Sequence, residues 1–447
     1  MKNESIINRL YFSDRELTKT EFEKSRNRFI FEGAVATGLF GLTTGAFLAG
    51  FAKYMGATDQ FNGLIAAIPA FAGIVQMVSP ILFEKLSHRK VIIAICCLIF
   101  RSLLSFMVLI PLIFSSTSIR LISLAVVNII AYTIASFISP AASNWMADLT
   151  PEHIRGRYFA TKDMYALVFM TIITLICGKI LDYFKFINNE YTGFLIIGLI
   201  SLILAILNFI FISSVKEPPP HKSTFKISLR KAIIEPIKNH QFKKIIVLSA
   251  LWNLGLNFAG PFFSVYMVAN LKLDYTYIMV VGVIATSVRV LSVRFWGRLA
   301  DRKSWFLPTK ISIALVGLAH FSWFFVNINT MYILIPLINI LVGFAWAGVN
   351  ICIFNIQFIF APKDGRTMYL GSSAAIGGLV GFISSILGSV ILSLIGPRIF
   401  NLIGFNVSNM QIIFACSGIA LGLCALYIHI FIKKNQIEKS LTKGELI

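Results

Sequence analysis

The chain has few charged residues for its length. Of its 447 residues, 13% are Asp, Glu, Lys or Arg and only 20 are acidic, whereas 57% are hydrophobic and 40 are Phe. A soluble domain cannot bury this much apolar surface, but lipid can solvate it. The composition therefore excludes a soluble globular protein and indicates a protein that crosses a membrane many times.

Other signatures are missing as well. The sequence shows no strand-length alternation of polar and apolar residues, which excludes an outer-membrane β-barrel. It contains no nucleotide-binding loop, catalytic triad or cluster of metal ligands, so direct use of ATP, an enzyme activity, a cofactor and a metal are all unsupported. The six cysteines lie inside apolar segments at spacings that suit neither disulfides nor zinc, and we interpret them as small core residues.

What the sequence does contain is a series of long apolar segments. Windows of about 20 residues predict twelve membrane spans, at 29–52, 62–83, 91–114, 121–147, 158–181, 191–212, 245–269, 276–297, 308–326, 331–360, 368–396 and 410–432. Backbone polar groups in hydrocarbon must be satisfied within their own segment, so we expect each span to be a helix. The predicted fold is an all-α polytopic membrane protein of two six-helix bundles.

Polar segments divide the chain into five predicted parts. These are a cytoplasmic N-terminal segment at 1–28, a first six-helix bundle at 29–212, a linker at 213–244, a second bundle at 245–432 and a cytoplasmic tail at 433–447. The linker mixes bases with spaced apolar residues, which is typical of an amphipathic helix on the membrane surface. We interpret it as a tether, with partner binding as the alternative.

Basic residues outnumber acidic ones by 40 to 20, which gives a net charge of +20. They concentrate in the N-terminal segment, the linker, the tail and alternate loops. Because cytoplasmic loops carry the basic excess, we predict a multi-pass protein of the cell membrane with both termini in the cytoplasm. This bias, with contact to anionic lipid, accounts for the charge, so we expect no nucleic-acid partner. The first 28 residues are polar, and we expect no cleavable signal peptide.

Two charged motifs recur at nearly one offset. Residues 84–90 (EKLSHRK) and 297–303 (GRLADRK) each place an acid among bases at the end of an apolar span, 217 residues apart. Residues 151–158 and 362–369 form a second pair, offset by 211. The two recurrences indicate a duplicated membrane unit, which is how many secondary transporters are built.

These motifs resemble those of the major facilitator superfamily, and the resemblance covers residues 29–432. That family carries a Gly-x-x-x-Asp-Arg-x-Gly-Arg-Lys-like signature after its second and eighth helices. The second copy here keeps Gly297, Asp301 and Arg302, whereas the first has Pro80 and Glu84 in place of the glycine and aspartate. The resemblance implies twelve helices in two pseudo-repeats, and transport by alternating access.

Charged residues at the cytoplasmic ends of the spans are candidates for a gate. A carboxylate and a guanidinium there can pair across the two halves and bias one state over the other. The alternative is that they only enforce topology and solvate helix ends. The candidates are Glu84, Arg89, Asp148, Arg155, Arg157, Asp301, Arg302 and Arg366.

The resemblance implies that spans 1, 4, 7 and 10 line a central cavity. A cavity helix should carry polar residues at helical spacing, and all four spans do. Small residues at this spacing can equally serve helix packing, which is our interpretation for span 1. The candidate substrate residues, with one from span 8 added, are Asn128, Tyr132, Trp252, Asn253, Asn257, Phe262, Arg289, Trp346 and Asn350.

Ionisable residues at depth are rare. The acids nearest to mid-span are Glu32, placed in the first turn of span 1, and Asp163, in the second turn of span 5. If transport is proton-coupled, we expect the proton to pass through one of them; the alternative is that both form gate salt bridges. Of two deep arginines, Arg289 can meet an anionic group of the substrate, whereas we expect Arg101 to bond to Asn128 or the span-4 backbone.

The sequence therefore predicts a secondary active transporter of a small organic solute, not an enzyme. We expect a monomer in the bilayer, with a proton, sodium or no coupling ion. Polyspecific drug or metabolite efflux is the alternative within transport, although a midplane carboxylate for cationic drugs is missing. A non-transporting membrane sensor with the same fold is the alternative from another class, and a long soluble output domain would favour it.

Overall fold

The computed structural model describes residues 17–83, 88–218, 229–303, 305–362, 366–396, 398–402 and 405–432. Helices dominate these ranges. They are α1 Lys19–Thr43, α2 Gly45–Tyr54, α3 Asp59–Ala72, α4 Ser79–Phe83, α5 Lys90–Phe106, α6 Ile110–Ile113, α7 Thr117–Asp148, α8 Glu152–Phe186, α9 Glu190–Ser214, α10 Leu229–Lys238, α11 His240–Val265, α12 Tyr275–Lys303, α13 Phe306–Ser322, α14 Met331–Phe360, α15 Arg366–Ile395 and α16 Asn409–Phe431.

Ten helical segments of the described ranges are long and apolar enough to cross a membrane. They correspond to ten of the twelve predicted spans. The ninth span is the shorter helix α13, which continues into a 3₁₀ turn at Trp323–Phe325. The second span is interrupted, so the count of twelve rests on ten long helices and two shorter segments.

The interruption in the second span has a local cause. Helix α3 gives way to a 3₁₀ turn at Gly73–Met77, and α4 begins two residues later. Pro80 has no N–H, and its ring would clash with the carbonyl four residues earlier in a continuous α-helix. A proline is tolerated in the first turn of a new helix, which is where α4 places it.

Three helices, α1, α8 and α11, begin five or more residues before the predicted spans, and side chains cap the starts of two of them. At the start of α1, Thr18 and Glu21 form a capping box, in which the Thr18 N–H donates to Glu21 Oε2 at 2.9 Å and the Glu21 N–H donates to Thr18 Oγ1 at 3.3 Å. At the start of α11, Asn239 Oδ1 accepts from the Gln241 and Phe242 amides at 3.1 and 3.0 Å. These caps satisfy donors that helix starts leave unpaired.

A short β-hairpin joins α15 to α16, which the all-helical prediction missed. Its strands, β1 Ile399–Leu402 and β2 Phe405–Ser408, pair antiparallel with Ile399 opposite Ser408. Four-residue strands lie at the lower limit of the length at which alternation indicates a strand.

The chain forms two compact units. The first consists of Met1–Thr58, Ala72–Lys226 and Leu273–Met279, and the second of Asp59–Phe71, Ile227–Lys272 and Val280–Ile447. The predicted bundles differ from these units in two short segments, Asp59–Phe71 and Leu273–Met279. The linker helix α10 belongs to the second unit and packs against α15.

Each unit has its own apolar core. In the first, Trp145 is fully buried, its ring meets Phe29 edge-on with centroids 5.2 Å apart, and its indole N–H donates to the Lys216 carbonyl at 3.2 Å. In the second, Phe242, Ile313 and Leu421 are fully buried in one cluster that also contains Trp252. Two cores give each unit the internal rigidity that a polar site on its surface requires.

Candidate functional site

Four of the predicted substrate residues come together in the second unit. Trp252 of α11 and Trp346 of α14 pack edge to face, with ring centroids 5.6 Å apart. One turn further along α14, Asn350 meets Arg289 of α12. In the amide orientation that pairs donors with acceptors, Asn350 Oδ1 accepts from Arg289 Nε at 3.2 Å and from Nη2 at 2.8 Å. We call these four residues the Arg289 site.

The Arg289 site lies at depth and is accessible. Arg289 is the middle residue of α12 and is half-buried, whereas Asn350 is exposed. The exposed apolar residues Ile333, Leu337 and Ile340 of α14 mark a different side of that helix. At 3.6 residues per turn, Asn350 lies about 105° and Trp346 about 150° away from the centre of that side. The polar face of α14 is therefore separate from its apolar face.

Small residues hold α12 and α14 together around the site. A Cβ at Gly343 would overlap the carbonyl oxygen of Ala285, and a Cβ at Gly348 would lie 2.7 Å from the Trp296 ring. The Trp296 indole N–H donates to the Phe344 carbonyl at 2.8 Å. Close backbone approach of this kind is how small residues pack membrane helices, and here it fixes the two helices that carry Arg289 and Asn350.

Three other predicted substrate residues lie in helix seams of the second unit. Asn253 and Asn257 are half-buried against α15, where Cβ atoms at Gly377 and Gly381 would lie 2.7 and 2.6 Å from their amide nitrogens. Their amides donate to carbonyls four residues earlier at 2.9 and 3.0 Å. Phe262 is fully buried. A polar stripe at helical spacing marks a cavity or a seam equally well, and these positions fit the seam.

The remaining two, Asn128 and Tyr132, lie one turn apart on α7 in the first unit and are both buried. The Asn128 amide donates to the Leu124 carbonyl at 2.8 Å. The Tyr132 hydroxyl has no hydrogen-bond partner among the described residues. The structure thus places these two predicted substrate residues inside the first unit.

A buried ion pair lies in the first unit. Glu32 Oε1 is 3.5 Å from Arg101 Nη2, and the Asn208 amide donates to the same oxygen at 3.0 Å and to the Glu32 carbonyl at 3.1 Å. The group joins α1, α5 and α9, and all three side chains are buried. We call it the Glu32 triad.

The Glu32 triad corrects two expectations. Because α1 begins at Lys19 and not at 29, Glu32 lies beyond the third turn of the helix instead of in its first turn. The second correction concerns Arg101, whose partner is the carboxylate of Glu32 and not Asn128 or the backbone of α7. A buried guanidinium requires charge compensation. The sequence did not predict this pair because the apolar window placed Glu32 at the start of span 1, away from the depth of Arg101.

The second candidate proton site has a different environment. Asp163 is exposed on α8, whereas its neighbour Lys162 is half-buried against α1, where a Cβ at Gly33 would lie 2.7 Å from Lys162 Cε. The two candidate acids thus differ in burial: Glu32 is enclosed by an arginine and an asparagine, and Asp163 is open.

Among the predicted gate residues, Arg89 and Asp148 form an ion pair. Arg89 Nε also lies 3.1 Å from Glu217 Oε1. The Glu217 carboxylate accepts from the backbone amides of Arg89 and Lys90 at 3.1 and 3.2 Å, so it caps the start of α5. All of these residues belong to the first unit, so this pairing, which we call the Arg89 cluster, is internal to one unit and is not the pair across the halves that we expected.

The structure describes only part of the other predicted gate residues. Glu84 lies outside the described residues. The side chains of Arg155, Arg157, Asp301 and Arg366 lie outside the described part of the structure, although their backbones belong to α8, α12 and α15. Arg302 is exposed at the end of α12.

Comparison with known proteins identifies the family. A family model for the Major Facilitator Superfamily matches residues 30–385. The chain belongs to the Major Facilitator Superfamily. No curated protein matches it in sequence.

Solved structures of superfamily transporters share its fold. The chain is similar to a point mutant of the nucleoside transporter NupG, with a TM-score of 0.69, 14% identity and coverage of 92% of this chain and 100% of that one. It is similar to a D-xylose–proton symporter, with a TM-score of 0.64, 15% identity and coverage of 92% and 96%. For the xylose transporter XylE from E. coli, the values are 0.62, 16%, 93% and 95%.

Membership of the superfamily makes this chain a multi-pass membrane transporter, not an enzyme. Three residues that make polar contacts in the structure were not predicted from the sequence. They are Asn208, Glu217 and Asp182, the last of which caps α12. An amide inside a very apolar span and an acid directly before three prolines were the available signals for the first two. Asp182 lies near the end of α8 and carried no signal beyond its charge.

Proposed function

We propose that the chain is a secondary active transporter that moves a small organic solute across the cell membrane by alternating access. The observation that carries the proposal is the Arg289 site, in which the Arg289–Asn350 pair lies one turn of α14 from the packed indoles of Trp346 and Trp252, on helices long enough to span a membrane. Placing polar groups at such depth in lipid is energetically unfavourable, and in membrane proteins such groups mark substrate and ion pathways.

Structural relatives support the same class of cargo. The solved structures named above are described as a nucleoside transporter and a D-xylose–proton symporter, both of which handle small organic solutes. Their identity to this chain is 14–15%, so the shared feature is the fold, and the cargo has to be argued from this chain's own residues.

Binding and counterflow test the proposal. The purified protein is first screened for thermal stabilisation by sugars, nucleosides, amino acids and organic acids. Each solute that stabilises it is then tested in proteoliposomes that contain the unlabelled solute in excess. We expect transient accumulation of the labelled solute, because a carrier that alternates exchanges internal for external solute.

Other outcomes separate the alternatives. A solute that binds without any counterflow would contradict transport and support a sensor. Counterflow of ethidium and other bulky cations, with none for compact solutes, would support polyspecific export.

A further inference from the structure

We infer that one buried water molecule binds in the first unit, beside a break in the first membrane span, and that the Ser201 hydroxyl holds it. Helix α1 ends at Thr43, and Thr44 has extended backbone angles, with φ −134° and ψ −177°. Helix α2 then begins at Gly45, whose φ is +58°. The break therefore lies inside Lys19–Tyr54, a segment long and apolar enough to cross a membrane.

The backbone at the break needs hydrogen-bond partners. Non-helical backbone at membrane depth is tolerated only where protein or water satisfies its polar groups. On the α1 side, Thr43 Oγ1 donates to the Leu39 carbonyl at 3.0 Å. Thr44 Oγ1 likewise donates to the Phe40 carbonyl at 2.7 Å. On the α2 side, Thr44 makes no side-chain cap, and the first amides of a helix have no acceptor within it. The start of α2 therefore needs an acceptor from elsewhere.

Ser201 of α9 lies level with this break. Phe194, Ser201 and Asn208 follow one another at intervals of seven residues, so they share one face of α9. The Asn208 amide donates to Glu32 of α1 at 3.0 Å. The Phe194 ring meets the Phe51 ring of α2, with centroids 5.2 Å apart. Ser201 is halfway between these two contacts, and the chain halfway between Glu32 and Phe51 is the region of the break.

The Ser201 hydroxyl is buried and faces a small cavity. Ser201 is 1% exposed, and its Oγ makes no hydrogen bond to any described residue. It lines a cavity of about 10 Å³ together with Thr43 and Phe47, which come from the two sides of the break. That volume is at the lower limit of the room that one water molecule needs, and it excludes any larger solute. The other lining side chains are apolar, which disfavours an ion.

A water molecule in this cavity has partners on three sides. They are the Ser201 hydroxyl, Thr43 Oγ1, which can still accept after donating to Leu39, and the start of α2, to which Phe47 belongs. Buried waters typically make about three hydrogen bonds. The water thus satisfies the Ser201 hydroxyl and the start of α2 together, and it allows the first span to be interrupted inside the membrane. The site is independent of the proposed function.

A structure of the full-length protein at a resolution that shows ordered waters tests the site directly. We expect a water within about 3.2 Å of Ser201 Oγ, on the side that faces Thr43. A map that shows buried waters elsewhere in the first unit but none in this cavity would overturn the inference.

Two valine variants give an independent test in detergent. Ser201→Val places methyl groups in the cavity, displaces the water and leaves the start of α2 without its partner. Leu199→Val is the matched control, because Leu199 is exposed on the same helix and reports only the effect of a β-branched residue. We expect the Tm of Ser201→Val to lie about 2 °C or more below that of Leu199→Val.

The opposite result has a clear meaning. A Tm of Ser201→Val equal to or above that of the control would show that valine fills a dry cavity, and the water site would be wrong. Circular dichroism shows whether each variant is folded. If Ser201→Val does not fold, the structure of the unaltered protein decides the question, since it requires no substitution.

Discussion

Asp182 accepts hydrogen bonds from the first two backbone amides of α12, with Oδ1 2.8 Å from Tyr275 N and Oδ2 2.7 Å from Thr276 N. These amides have no partner within the helix, and the helix dipole places partial positive charge at the same end. Asp182 belongs to α8 and both amides belong to the first unit, so this carboxylate binds the start of α12 to that unit.

Loss of this cap should lower stability. Asp182→Ala removes both acceptors and the charge, and we expect the free energy of unfolding to fall by about 0.5–2 kcal/mol. The measurement is the apparent Tm of the purified protein in detergent. Asp163→Ala on the same helix is the control, because that side chain is exposed. Equal Tm values for the two variants would mean that the cap does not stabilise the protein.

Loss of the Glu217 carboxylate should destabilise the protein more than loss of the ion pair between Lys216 and Glu21. Glu217→Gln places an amide where the carboxylate accepts from two backbone amides and from Arg89, and the expected loss is on the order of 3 kcal/mol. The control is Glu21→Gln. Glu21 pairs with Lys216 at 2.7 Å, but the Lys216 side chain is 40% exposed, so we expect a clearly smaller change.

Thermal melts of both variants check this difference. A larger destabilisation for Glu21→Gln than for Glu217→Gln would contradict the role given to the cap on α5. Circular dichroism of Glu217→Gln should remain helical, since the change affects one helix terminus and not the membrane spans.

The close approach of α12 and α14 predicts a sharp difference between two glycines. Gly343→Ala should force the two helices apart, because the new Cβ would overlap the Ala285 carbonyl. We expect destabilisation of about 1–3 kcal/mol and weaker binding of any solute that the counterflow screen identifies. Gly371→Ala is the control: its Cβ would meet nothing within 4 Å, and it lies within α15, so it should be neutral or slightly stabilising. If Gly343→Ala binds ligand like the unaltered protein, the site does not depend on this packing.

The positions of the helices could be predicted from the sequence because backbone polar groups in lipid must be hydrogen-bonded within their own segment. A segment such as Glu190–Ser214 has no stable form in hydrocarbon other than a helix, whatever its neighbours are. The start of α1 was also encoded, in the Thr18 to Glu21 capping box, but outside the apolar window that defined the span. Hydropathy therefore located the spans and missed where some helices begin.

The partners of polar residues could not be read in the same way. Periodicity shows that Asn253 and Asn257 share a face of α11, but not that the facing helix offers glycines at 377 and 381. Likewise, nothing in the sequence says that Glu32 and Arg101, on different helices, meet. Trp346 and Asn350 could be predicted together because both lie on one helix, α14, one turn apart.

The Glu32 triad makes a prediction for a double-mutant cycle. Glu32→Leu leaves the Arg101 charge buried without its partner, and Arg101→Met leaves the carboxylate, so each should destabilise the protein by about 3–5 kcal/mol. The double variant contains neither charge and should be less destabilised than either single one. Apparent Tm values of the four proteins check this. Additive losses would show that the two charges do not interact.

Proton coupling, if present, should pass through Glu32. Its carboxylate is enclosed by Arg101 and Asn208, so a change in its protonation would alter contacts on three helices at once. Asp163 is exposed, and its protonation would change no contact of that kind. In proteoliposomes loaded with a solute identified by counterflow, we expect Glu32→Gln to abolish accumulation driven by a pH gradient and to spare counterflow, which needs no proton.

Asp163→Asn is the matched variant and should retain accumulation. The reverse result would assign the proton to the exposed acid, and Glu32 would then be a structural partner of Arg101. If both single variants and the double variant still accumulate solute against its gradient, protons do not pass through either acid. A sodium gradient imposed on the same proteoliposomes then separates sodium coupling, which would restore accumulation, from facilitated diffusion, in which no ion gradient drives solute uphill.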